Sequence, residues 1–130
     1  GKSASVRDFV RMAFFKCGIS LKFIGKGKSE KGIIDAIDLY KFEEATNIQP
    51  DHLSTGQTLI LVDPYYFRPT EVNLLLGDPS KAFAKMGWKA RYTLDELVSE
   101  MVENDIELIK RNHHLKTGGF IIHNQVEDII

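Results

Sequence analysis

Thr93-Leu-Asp-Glu96 opens a run in which Leu94, Leu97, Val98, Met101, Val102, Ile106 and Ile109 recur at helical spacing. A threonine with glutamate three places on can satisfy two of the unpaired amides at a helix start, and an apolar stripe of this period needs a surface to cover it. The pattern predicts an amphipathic helix over about 94–111. The rest of the chain must build what it packs on, and 130 residues allow one domain with a core of its own.

Ser5 precedes a second periodic set, Val6, Phe9, Val10, Ala13 and Phe14, with Asp8 completing a near capping box, so a helix is expected over 6–16. Gly18 ends it, and the alternation of Ile19, Leu21 and Phe23 reads as a short strand. The polar stretch 25–32, GKGKSEKG, superficially resembles a phosphate-cradling turn but lacks the helix that follows in a P-loop. Residues 33–47 fit both a helix and a strand, with a strand near 33–37 preferred for its β-branched start. TLILVD, 58–63, reads as a buried strand. Asp78-Pro79 is a helix opening, with aspartate as cap and proline in the first helical position, so a short helix is expected over 80–86, closed by Gly87. Trp88 is expected in the core, joining that helix to the long one. The last stretch, 112–130, reads as a tail with a Gly118-Gly119 turn and an apolar patch.

Charge and composition exclude several functions. Seventeen basic against eighteen acidic residues, with no basic block, leave little to neutralise a phosphate backbone, so no nucleic-acid partner is expected. No apolar run is long enough to span a bilayer and no signal peptide is visible, so no membrane partner is expected either. A single cysteine, Cys17, lies in an apolar run and reads as a small buried hydrophobe in a reduced, cytoplasmic compartment. The chain opens without methionine, so it is read as a processed product or an excerpt of a longer one.

Catalytic kits are missing as well. His52, His113, His114 and His123 do not stand at metal-ligand spacing, and neither a nucleophile elbow, a Gly-x-Gly-x-x-Gly turn nor a Tyr-x-x-x-Lys pair occurs. No catalytic residue and no metal site is assigned. What remains is Arg68, followed by Pro69 and, three places on, Glu71. A guanidinium grips two phosphate oxygens with its planar fork and keeps its charge, each charge-assisted hydrogen bond contributing about 1.5–3 kcal/mol. A carboxylate one turn away can accept two bonds from the vicinal hydroxyls of a ribose. Together they describe a nucleotide clamp, with an ordinary surface ion pair as the alternative.

Four blocks then carry a resemblance: VRDF (6–9), VDPYYFRPTEVNLLLGDPSKA (62–82), KMGW (85–88) and LVSEMVENDIEL (97–108). In that order they resemble the C-terminal portion of the GDP-mannose 4,6-dehydratase family, extended short-chain dehydrogenase/reductases, over about residues 5–123. The resemblance implies an α/β fold, a small substrate-binding domain of three helices with a few short strands spanning residues 1–130. An N-terminal Rossmann domain holding NADP and the catalytic residues would lie outside these residues, so no cofactor is expected on this chain alone. It further implies that Arg68 binds the diphosphate of GDP-mannose and Glu71 the ribose hydroxyls, with Arg7, in a matching block, as a further substrate-binding candidate. Tyr66 and Phe67 are candidate walls of the same clamp, and Tyr65 stands where the family string often carries arginine. The intact enzyme would be a cytoplasmic, homo-oligomeric lyase of deoxysugar or GDP-fucose biosynthesis, and the chain alone inactive. Two alternatives stay open: a non-catalytic interaction module built on the long helix and the tail, and part of a related sugar-nucleotide epimerase.

Overall fold

The computed structural model describes residues 3–68 and 76–120. Helix α1, Val6–Lys16, starts at Ser5, whose hydroxyl accepts the Asp8 amide while the Asp8 carboxylate accepts from the Ser5 amide, the reciprocal arrangement expected from the sequence. Strand β1, Ile19–Ile24, follows almost at once. The turn between them needs Gly18: its φ is +77°, and a Cβ there would lie 2.7 Å from the Asp38 carbonyl oxygen and 2.8 Å from the Phe42 amide nitrogen.

A single 3-10 turn at Gly27–Ser29 leads into β2, Lys31–Ile37. The ambiguous stretch resolves into both of its readings. Asp38 accepts the Lys41 amide at 3.1 Å and caps a helix, α2, Leu39–Thr46, directly after the strand. The α/β expectation therefore holds, but the described residues carry four helices where three were expected, because a capping aspartate splits one apolar stretch into a strand and a helix. Strand β3 is Thr58–Leu61. The three strands form one antiparallel sheet in the order β1-β2-β3, with Ile19 opposite Ile37 and Gly32 opposite Ile60.

Ile19, Leu21, Ile34 and Phe42 form the buried core, flanked by Val10 and Phe14 of α1 and by Leu53, Leu59 and Ile60. Strand β3 is an edge strand with no fully buried residue, so the reading of 58–63 as a buried strand is corrected. Helix α3, Ser80–Met86, has the expected bounds and closes at Gly87, but Pro79 rather than Asp78 is the cap, while the Asp78 carboxylate accepts from the Ser80 amide at 3.0 Å. No residue of α3 is buried, and Trp88 after it is 53% exposed. The expectation of a core Trp88 is thus overturned, since the short helix it was to join offers no packed face.

Helix α4, Leu94–Thr117, has the expected capping box at Thr93 and Glu96 but runs six residues past 111, taking in the start of the anticipated tail. Val98 is fully buried, and Val102 and Ile106 follow one turn apart on the half-buried side, against α1 and α2. Leu97, Met101 and Ile109 face outward. No helix among the described residues is long and apolar enough to cross a membrane.

Candidate functional site

Past β3 the chain turns sharply. The Asp63 carboxylate accepts the Tyr65 amide at 2.8 Å, and the Asp63 carbonyl accepts the Tyr66 amide at 3.2 Å, so aspartate and Pro64 fold the backbone into a tight turn. The Tyr65 and Tyr66 rings meet edge to face at 5.0 Å. Val62, Asp63, Tyr65, Tyr66, Phe67 and Arg68 line a wide concavity of about 720 Å³, within the range of small-molecule sites. Arg68 is exposed there and has no ion pair or hydrogen bond with another described residue.

Arg7 lies in the neighbouring concavity, about 360 Å³, between the start of α1 and the end of β3. Val62 lines both. Unlike Arg68, Arg7 is engaged: its Nε and Nη2 lie 2.8 and 2.6 Å from Oε1 of Glu30, and its guanidinium carbon is 5.6 Å from the centre of the Phe23 ring. Arg11 approaches the same ring at 5.1 Å. On the other side, Nζ of Lys28 lies 5.4 Å from the centre of the Phe67 ring. Three cations, Arg7, Lys28 and Arg68, therefore gather near one end of the sheet, and among the described residues only Glu30 forms an ion pair with any of them.

The glycines of 25–32 join two antiparallel strands and open no long helix. They lack the strand-to-helix geometry that holds a dinucleotide pyrophosphate, so these residues do not fit NADP. Among the described residues no cluster of histidine, cysteine and acidic side chains could hold a metal ion. His52, His113 and His114 are exposed, and His123 lies outside the described residues. Cys17 is half-buried, and burial raises its thiol pKa, opposed in part by the charge of Lys41.

Of the residues singled out in the sequence, Arg68 and Arg7 are brought to adjoining concavities, with Tyr66 and Phe67 as walls beside Arg68. Glu71 lies outside the described residues. Sequence reasoning missed Asp63, Lys28 and Glu30. The Asp63-Pro64 dipeptide was a legible turn signal, but nothing local tells that Glu30 reaches Arg7 across 23 residues.

A family model described as GDP-mannose 4,6 dehydratase matches residues 1–101. The chain belongs to this family. It is 44% identical over 120 residues to GDP-mannose 4,6-dehydratase of Yersinia enterocolitica, covering 92% of this chain and 30% of that protein. Against GDP-mannose 4,6-dehydratase of Vibrio cholerae the identity is 38% over 127 residues, 98% of this chain and 32% of that protein. The Cricetulus griseus GDP-mannose 4,6 dehydratase is 39% identical over 112 residues, 86% of this chain and 25% of that protein. The chain thus spans about a third or less of the length of the curated relatives it matches.

Proposed function

We propose that this chain is the C-terminal GDP-sugar-binding domain of a GDP-mannose 4,6-dehydratase, a lyase that converts GDP-mannose to GDP-4-dehydro-6-deoxymannose with loss of water. In this reading Arg68 grips the diphosphate, Arg7 adds a second positive group beside it, and Glu71 takes the ribose hydroxyls. Tyr66 and Phe67 form apolar walls that hold water back from the bound sugar nucleotide. NADP and the groups that move hydride and proton belong to the rest of the enzyme, a cytoplasmic homo-oligomer. This chain contributes grip and placement, whose effect on rate is positional.

One observation carries the assignment: Arg68, which has no ion pair or hydrogen bond with another described residue, lines a concavity of about 720 Å³, with Arg7 in the concavity that adjoins it at Val62. Arg7, by contrast, commits one edge of its guanidinium to Glu30. The test is Arg68→Ala in the intact native protein. Loss of one or two charge-assisted bonds predicts GDP and GDP-mannose affinities lower by about 10- to 100-fold. Unaltered GDP affinity and KM would remove the clamp and favour the interaction-module reading.

A further inference from the structure

We infer that the Gly25–Glu30 turn is a positioning device for the anion grip: Glu30 sets the orientation of Arg7, while Lys28, seated over Phe67, ties the same turn to the segment that ends in Arg68. The inference rests on reading Arg7 and Arg68 as the diphosphate grip.

Glu30 is the better anchored member of its pair, its side chain 19% exposed against 45% for Arg7. Both contacts converge on one oxygen: Nε and Nη2 of Arg7 reach the same Oε1, at 2.8 and 2.6 Å. A guanidinium held along that edge cannot turn about its stem, and the donors on its other edge stay available for a second anion. Phe23 supports its face at 5.6 Å. The acid therefore consumes one side of Arg7 and aims the other.

The turn that carries Glu30 is closed by contacts of its own. Gly25 has φ +84°, and a Cβ there would lie 2.5 Å from the Ser29 carbonyl oxygen, so the backbone folds back more tightly than a side chain allows. Inside the turn the Ser29 hydroxyl donates to the Lys26 carbonyl at 2.9 Å and the Glu30 amide to the Gly27 carbonyl at 3.1 Å. From the same few residues Lys28 reaches the Phe67 ring, and a Cβ on Gly27 would stand 3.8 Å from that ring. One turn thus touches Arg7 on one flank and the residue before Arg68 on the other. Their spacing is set from a single place.

The test measures GDP binding by calorimetry on the intact native protein, with melting temperatures of every variant. Glu30→Ala frees the guanidinium and should weaken GDP at least fivefold. Glu30→Gln keeps an acceptor oxygen and should restore most of that affinity, and Glu30→Asp, which retracts the oxygen by one methylene, should weaken GDP even if the alanine variant does not fold. In an Arg7→Ala background, Glu30→Ala should add no further loss, because Glu30 acts through Arg7. Tighter GDP binding in Glu30→Ala and Glu30→Gln would make Glu30 a competitor for Arg7 and overturn the inference. Additive losses would reduce Glu30 to general support, and a silent Arg7→Ala would overturn it as well. Arg68→Ala decides the proposed function separately: if that variant loses GDP while Arg7→Ala does not, only the positioning device fails.

Discussion

Lys16, in the last turn of α1, places its ammonium 2.9 Å from the carboxylate of Asp95 in the first turn of α4. Each charge sits at the helix end whose dipole it complements, the cation at a C-terminus and the anion at an N-terminus. The pair also pins the long helix to the sheet-and-helix unit across 79 residues of sequence.

Its energetic weight is nevertheless small. The Asp95 side chain is 66% exposed, so solvent screens the attraction, and Lys16→Met should cost about 0–1 kcal/mol in chemical denaturation. The loss should shrink further in high salt. A cost above 2 kcal/mol would show that the pair organises the α1–α4 contact.

Packing of α4 depends far more on Val98. That residue is wholly buried while Leu97 beside it is 45% exposed. Val98→Ala deletes two buried methyl groups and leaves a cavity, for an expected loss of about 2 kcal/mol. Leu97→Ala should stay within about 0.5 kcal/mol, the range for surface changes. Reversal of that order in urea titrations of the isolated chain would mean that the helix is rotated about its axis.

The capping boxes make the two helix starts acid-sensitive. Side-chain and backbone bonds to Ser5 hold the Asp8 carboxyl below its ordinary value, and bonds to Thr93 do the same for Glu96. A carboxylate whose folded pKa is depressed contributes stability that is present above its unfolded pKa and lost as pH falls through the folded one. Helicity should therefore hold through neutral pH and decline below the ordinary carboxylate range. Thr93→Ala should blunt that decline, which circular dichroism against pH would detect; an unchanged acid profile would rule out the α4 cap as its source.

Trp88 offers a direct optical check, being the one tryptophan in the chain. At 53% exposure its emission in the isolated chain should be red-shifted and readily quenched by acrylamide. Cys17 should behave oppositely. Half-buried and with its thiol pKa raised by burial, it should react slowly with an alkylating reagent at neutral pH. Blue, protected tryptophan emission or rapid Cys17 modification would contradict the packing described for those positions.

What could be read in the sequence was local. Helix α1 has the bounds its stripe and glycine announce, and the Thr93 box marks the first residue of α4, because caps and periodicity act within one or two turns. Residues 33–47 resisted because Asp38 lies between two apolar runs, and only the backbone reveals that it ends one element and starts another. The fate of Trp88 was hidden for a different reason: large apolar side chains signal burial only when a partner surface exists, and α3 provides none. At the candidate site Arg68 stood out by chemistry alone, whereas Glu30 became visible only when the hairpin brought it to Arg7.

The distribution of contacts also separates near pairings from distant ones. Helix α1, the three strands and α2 all lie within the first 61 residues, and β1 meets β2 across a short hairpin whose closure costs little chain entropy. Helix α4 must return over everything between β3 and Thr93 before Val98 finds its seat. During synthesis the sheet can therefore pair while the long helix is still inside the ribosome, and the surface that α4 will cover waits exposed until its arrival.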